Sequence, residues 1–216
     1  MKLAKGSKSF ILASLIPGIV FLILGVFLLD NAIASVSIFT SVSLLILTLF
    51  FLMFFRDPER KTGPGFIACA DGKIRDIYNL KDKDIGECVC ISTFMNVNNV
   101  HVNRMPYDGK IISLTHIFGL HLPAFKKESE KNERTIIIVN SKFGKYKIIQ
   151  IAGTLARRIV PYIKKGDIVK KGKRIGIIRL GSRVDIYLPK KMVKKICIKT
   201  GSRIKAGEDC IAEIND

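Results

Sequence analysis

The hydrophobic positions fall into two regimes. From Phe10 to Leu29 the chain reads FILASLIPGIVFLILGVFLL, 20 residues without a charge. After Asp30-Asn31, a second uncharged run of 24 residues extends from Ala32 to Phe55. As a helix the first run is about 30 Å long, the thickness of a bilayer core. The pattern predicts a membrane anchor over 1–55, with apolar helices at 10–29 and 32–55. The turn joining them is so short that a re-entrant hairpin is the alternative to a full crossing. Pro17-Gly18 marks a kink, which a bilayer tolerates. The first run is too long for the apolar region of a signal peptide, and no small-residue cleavage site leads from it into a soluble domain. The 161 residues after Phe55 are too few to cover two helices that are apolar on every side.

From Phe66 onward, short β-branched runs alternate with Gly, Asp-Gly and Lys-Gly turns. Examples are CVCIS (88–92), RTIIIVN (134–140), KYKIIQIAG (145–153), RIGIIRLG (174–181) and RVDIYLP (183–189). This predicts a mainly-β sandwich or barrel over 56–216. Two internal echoes reinforce it. Asp-Gly-Lys-Ile occurs at 71–74 and again at 108–111, and Asp-Gly suits a tight turn. The segment Lys165–Gly172 is echoed by Thr200–Gly207, each with glycines six apart and an aliphatic residue three after the first. That cadence resembles the hammerhead turns of barrel-sandwich folds of the lipoyl/biotinyl type. The four glycines read as turn residues.

Charge divides at the same place as hydropathy. The whole chain carries +18 with a mean hydropathy of +0.27, which excludes a disordered basic tail. Setting aside Asp30 and the lysines at 2, 5 and 8, residues 56–216 hold 33 Lys and Arg against 17 Asp and Glu, a net +16. Lys2, Lys5 and Lys8 precede the first span, Arg56, Arg60 and Lys61 follow the second, and the turn between has no basic residue. The positive-inside rule therefore puts both ends, and the β domain, on the cytoplasmic face of the cell membrane. A basic domain held there is attracted to an anionic lipid surface. Nucleic acid is the other partner such charge suggests, but no nucleic-acid-binding motif is present. Five cysteines, an odd number, fit a reducing compartment. Cys88-Val-Cys90 lacks the spacing of a zinc site and reads as buried small hydrophobes.

Several segments carry more than structure requires. They are Phe55–Arg60 (FRDPER), Ala70–Lys73 (ADGK), Phe94–Pro106 (FMNVNNVHVNRMP), Asn132–Arg134 (NER), Ala156–Val160 (ARRIV) and Arg179–Asp185 (RLGSRVD). In this order, from about Phe55 to about Pro189, they resemble the short, membrane-anchored form of phosphatidylserine decarboxylase proenzyme, a pyruvoyl-dependent family. The resemblance implies cleavage of the Gly181-Ser182 bond, giving chains 1–181 and 182–216 that stay together as a heterodimer. Ser182 Oγ attacks the Gly181 carbonyl to give an ester. Loss of the Ser Cα proton expels the carboxylate, and the resulting dehydroalanine hydrolyses to a ketone and ammonia. The pyruvoyl group at 182 then forms a Schiff base with the substrate amine and accepts the electrons left by CO2. The implied reaction turns phosphatidylserine into phosphatidylethanolamine with no metal or diffusible cofactor.

His101 matches the first His of the family's His-x-x-His-Met-Pro segment and suits proton transfer near neutral pH. The second His is Arg104 here, which cannot act as a base at that pH. Either His101 serves both self-processing and turnover, or Arg104 orients a carboxylate or phosphate. Asp71 matches the family's Ala-Asp-Gly aspartate, and the resemblance gives it a catalytic role, orienting His101 or helping Ser182 lose its proton; a plain Asp-Gly turn is the alternative. Arg157 and Arg158 are adjacent, so on a strand at most one faces a substrate phosphate. The apolar stretch Leu114–Phe125, with His116 and His121, is read either as a segment that dips into the membrane interface and admits lipid, or as a core element. Gly201-Ser202 repeats the Gly-Ser-Arg triplet, but the echo makes Gly201 the counterpart of the turn residue Gly166. Two rival functions stand beside the enzyme: a membrane-tethered β-rich adaptor, and a lipoyl or biotinyl carrier. For the carrier the nearest candidate, Lys190-Lys191-Met192, lacks the expected neighbours.

Overall fold

The computed structural model describes residues 2–27, 31–120, 131–153, 158–179 and 182–215. The chain divides into two compact units, residues 1–59 and 60–216.

The first unit is built on two long apolar helices, α1 (Lys8–Phe27) and α2 (Asn31–Phe54). Small residues bring them together. Gly18 lies where an added Cβ would stand 3.3 Å from Leu44 Cβ, and at Gly25 it would stand 2.7 Å from Ile38 Cγ1. Ser41 Oγ donates to Gly18 O at 2.8 Å, and Thr48 Oγ1 donates to Ser14 Oγ at 2.8 Å. Close backbones and interhelical hydrogen bonds are what hold apolar helices together where no hydrophobic force acts between them. Large apolar side chains such as Val26, Phe27 and Phe39 face outward. The helix α1 runs through Pro17 without interruption.

The second unit is mainly β. Its strands are β1 (Phe66–Ile67), β2 (Gly72–Asp82), β3 (Gly86–Met95), β4 (Val102–Arg104), β5 (Gly109–Ile117), β6 (Arg134–Ser141) and β7 (Gly144–Ala152). They continue as β8 (Ile159–Pro161), β9 (Ile168–Val169), β10 (Arg174–Ile178), β11 (Ser182–Pro189), β12 (Val193–Ile196), β13 (Arg203–Ile204) and β14 (Cys210–Ile214). Among the described residues, eight form one antiparallel sheet in the order β13-β2-β3-β11-β7-β6-β5-β9. Two three-stranded sheets, β1-β14-β12 and β4-β10-β8, accompany it. The five apolar runs read from the sequence lie in β3, β6, β7, β10 and β11, and their buried members, including Ile91, Ile137, Ile148, Ile175 and Ile186, fill one core.

The two sequence echoes fold into a duplicated unit. Gly166 N donates to Ile111 O and Ile111 N to Asp167 O. In the second copy Gly201 N donates to Ile74 O and Ile74 N to Ser202 O, all at 2.8 Å. Strand β9 pairs with the start of β5 as β13 pairs with the start of β2. All four echoed glycines have positive φ, between 80° and 96°, a region open to Gly without steric cost. The aspartates match too: Asp108 Oδ1 accepts from Lys171 N at 2.6 Å, and Asp71 Oδ1 from Ala206 N at 2.8 Å.

Cys69, Cys88 and Cys90 are buried, as the pattern suggested, while Cys197 is exposed with Cys210 Sγ 3.5 Å from its sulfur. Burial pushes the Cys69 thiol up to about 12, so almost none is thiolate at neutral pH. A thiol reagent is expected to modify only Cys197 and Cys210 in the native protein. Prompt reaction of a third thiol, followed by mass spectrometry, would contradict this burial.

Candidate functional site

Ser182 is the first residue of β11 and is fully buried. It pairs with Met95 at the end of β3 on one side and with Ala152 at the end of β7 on the other. Its Oγ donates to Met95 Sδ at 3.4 Å. Just before it the chain crosses from the small sheet to the large one, because Ile178 ends β10. Gly181, the residue before Ser182 in sequence, lies outside the described residues.

His101 precedes β4 and is fully buried. Its carbonyl accepts from Ile178 N at 3.4 Å, which ties it to the last residue before the crossover. Its Nδ1 stands 2.9 Å from Asn99 O. A carbonyl only accepts, so Nδ1 carries the proton, and Nε2 is the lone-pair nitrogen of the neutral ring.

Asp71 precedes β2, and Lys73 pairs with Phe94, next to Met95. Asp71 and Ser182 thus flank the same end of β3. The Asp71 carboxylate is held by Arg60: Nη1 donates to Oδ1, and Nη2 to Oδ2 at 2.8 Å. With Ala206 N, that makes three donors. Burial on its own would lower the Arg60 pKa, but the hydrogen bond and charge of Asp71 raise it overall. Among the described residues the partners of Asp71 are Arg60 and Ala206, not His101. Arg60, read from sequence as a charge flanking the membrane, is a buried ion-pair partner.

Arg104 is also buried, but on the other side of β4. Asn103 Nδ2 reaches Met95 Sδ at 3.8 Å, whereas Arg104 Nη1 donates to Gly172 O at 3.1 Å. An added Cβ on Gly207 would stand 2.7 Å from Arg104 Cδ. Arg104 therefore braces the two glycine turns, and period-two alternation puts it on the face opposite Asn103. Arg157 lies outside the described residues. Arg158 is exposed and lines a cavity of about 310 Å³ with Leu114, His116, Phe118, Glu133 and Thr135. His116 Nε2 stands 3.4 Å from Glu133 Oε1. Arg179 lies close by, its N donating to Arg158 O at 3.3 Å. Burial and the like charge of Arg158 lower its pKa. Of the stretch Leu114–Phe125, residues 114–117 belong to β5, Phe118 and Leu120 are exposed, and 121–125 lie outside the described residues.

The sequence reading missed the polar floor beside Ser182. Gln150 pairs with Val184, two residues along β11, and Thr135 pairs with Gln150. Gln150 Nε2 donates to Asn103 Oδ1 at 2.7 Å. The signal was a single amide in the aliphatic run of β7. On the opposite face of β11, Arg183 Nη2 donates to Asp185 Oδ2 at 2.9 Å, with both residues buried. Burial raises the Asp185 pKa, and Arg183 only partly offsets this. The repeated triplet at Gly201-Ser202 is a turn: Ser202 Oγ accepts from Lys199 N at 3.3 Å. His, Cys, Asp and Glu make no metal-binding group among the described residues.

Comparison with known sequences adds the family. The sequence pattern described as phosphatidylserine decarboxylase matches residues 47–212. A protein of Methanococcoides burtonii with the provisional name archaetidylserine decarboxylase proenzyme is 46% identical over 172 residues, 78% of this chain and 77% of its own. The phosphatidylserine decarboxylase proenzymes of Streptomyces avermitilis and Syntrophus aciditrophicus are 46% and 45% identical. They cover 72% and 74% of this chain, and 70% and 78% of their own. The matched stretch contains Ser182, His101 and Asp71 together with the strands that carry them, and the chain belongs to the phosphatidylserine decarboxylase family.

Proposed function

We propose that this chain is a self-processing decarboxylase that converts phosphatidylserine into phosphatidylethanolamine and CO2, using a pyruvoyl group made from Ser182. The observation that carries it is the placement of Ser182. It is a buried nucleophile at the head of an interior strand, directly after a crossover and four residues from the backbone tie to His101. The site suits such a group. Residue 182 is shut off from water, and Gln150, Asn103 and Met95 line its face of the sheet.

A carbonyl at the N-terminus of the small chain supplies the electron sink that loss of CO2 from an amino acid headgroup requires. The protein's own residues do the rest. Ser182 Oγ attacks the Gly181 carbonyl, where the absence of a side chain on the acyl side leaves the approach open. His101 takes and returns protons at Nε2. Asp71, held by Arg60, shapes the end of β2 against β3. Arg158, with Arg157 beside it in sequence, supplies positive charge for the phosphate. The exposed Phe118 gives the cavity an apolar lip and Leu120 is exposed two residues on, which supports lipid approach over the Leu114–Phe125 stretch.

The same reading puts α1 and α2 across the cell membrane, with the β unit at its cytoplasmic face. Their length, their outward apolar side chains and the flanking lysines support this. The repeated turns support the barrel-sandwich reading of the β unit. The reaction is confined to the headgroup, so archaetidylserine, which shares that headgroup, is a second substrate to test.

Intact mass spectrometry and CO2 release from vesicles test the proposal. The purified protein should separate under denaturing conditions into chains 1–181 and 182–216, the smaller blocked to N-terminal sequencing. It should release CO2 from phosphatidylserine. A single uncut chain without activity would overturn the proposal.

A further inference from the structure

The amide network beside Ser182 has a fixed sense. The Met95 sulfur accepts hydrogen bonds and cannot donate them. It takes Ser182 Oγ at 3.4 Å, and it also faces Asn103 Nδ2 at 3.8 Å. Asn103 therefore turns its Oδ1 the other way, toward Gln150 Nε2 at 2.7 Å. That leaves Gln150 Oε1 as the free end of the chain of bonds. Gln150 is fully buried, and Oε1 has no donor among the described residues. A buried acceptor without a donor is costly and calls for an explanation.

Its position supplies one. Gln150 pairs with Val184 and Ala152 pairs with Ser182. Gln150 and Ser182 are therefore diagonal neighbours on one face, with backbones about 7–8 Å apart. The residue directly opposite Ser182 is the small Ala152, which leaves room on that face. Strand β10 closes over the amide at Gly176, where an added Cβ would stand 3.3 Å from Gln150 Nε2. The acceptor is confined, buried and within side-chain reach of residue 182.

We infer that Gln150, held in place by Asn103, binds the substrate: its Oε1 accepts a hydrogen bond from the amino nitrogen of the serine headgroup as that nitrogen comes up to residue 182. This rests on the proposed function and adds a residue that recognises the amine. A protonated carboxyl at the same place, donating its O–H to Asn103 Oδ1, would keep the acceptor, while an apolar side chain of the same shape would not.

Two substitutions separate recognition from packing. Gln150→Met keeps the shape and loses the acceptor. Gln150→Glu keeps an acceptor and, since burial favours the protonated carboxyl, still has an O–H to donate to Asn103 Oδ1. Full-length proteins in detergent are compared by appearance of the small chain, by kcat/KM for phosphatidylserine, and by borohydride-dependent attachment of the lipid to the small chain, read by mass. Both variants should still cut themselves. Gln150→Met should lose roughly 10- to 100-fold in kcat/KM, mostly through KM, with a matching fall in attachment. Gln150→Glu should keep most of both. The inference is overturned if Gln150→Met equals the wild type, which would assign Oε1 to an ordered water. It is equally overturned by the reverse order, with Met active and Glu inactive, which is the signature of packing. If Gln150→Met does not cut itself, Asn103→Leu takes its place. It frees the Gln150 amide and should raise KM, and an unchanged KM would again overturn the inference. Wild-type protein that neither cuts itself nor releases CO2 would count against the proposed function instead.

Discussion

Ser182→Ala is expected to leave one uncut chain of 216 residues with no decarboxylase activity. The substitution removes the hydroxyl proposed to attack the Gly181 carbonyl and, with it, the source of the new ketone. Its structural cost is small. Among the described residues Ser182 Oγ makes one weak bond, to a thioether, and alanine fits a buried strand position, so the loss in stability should stay below about 1 kcal/mol. Denaturing electrophoresis and a thermal melt check both halves of the statement. An alanine protein that still splits between 181 and 182 would show that another nucleophile makes the cut. An uncut protein that still decarboxylates would show that the pyruvoyl reading is wrong.

The second large effect is expected at Arg60. Its guanidinium and the Asp71 carboxylate are each at least nine-tenths buried as side chains. Arg60→Leu leaves that carboxylate, among the described residues, with Ala206 N as its one remaining donor. Removing one member of a buried pair typically costs about 3–5 kcal/mol, because the other charge stays buried. The internal duplication supplies a control. Asp108 holds the equivalent turn, but its ion-pair partner Lys170 is 3.6 Å away and both side chains are more than half exposed. Surface pairs of that kind contribute little, so Lys170→Leu should leave the melting temperature almost unchanged. Replacing both Arg60 and Asp71 by leucine should recover much of the stability lost in Arg60→Leu. If the two single substitutions cost the same, the pair at Asp71 has no special weight.

Much of this was legible in the sequence because it is local. Uncharged runs gave two helices, and β-branched runs gave the longer strands. Glycines six residues apart gave the turns, and that echo also separated the Gly-Ser bond at 181–182 from its copy at 201–202. What escaped depends on register. Strands β4, β8, β9 and β13 have two or three residues each, too few for a pattern. Arg60 stood among the charges flanking the apolar run, and only the folding of β13 beside β2 brings it to Asp71. Gln150 was one amide in a run of isoleucines. Its importance comes from lying diagonal to Ser182, which no spacing along the chain encodes. Arg104 was weighed as a ligand for phosphate or carboxylate. Two residues separate it from His101, an odd offset, so alternation along an extended chain puts the two on opposite faces.

The position of β11 has a consequence for the cut protein. This strand lies inside the eight-stranded sheet, paired along its length with β3 and over most of it with β7. Strands β12, β13 and β14 follow it in the same 35-residue segment and pair with one another or with β1 and β2. A cut at Gly181-Ser182 therefore nicks the backbone without releasing anything. The small chain is a wedge in the middle of the sheet, and it can leave only if the sheet opens. Before the cut, folding is a one-chain event. Afterwards, reassembly from separated pieces would depend on concentration, so an unfolded mature enzyme faces an entropic barrier that its precursor never met.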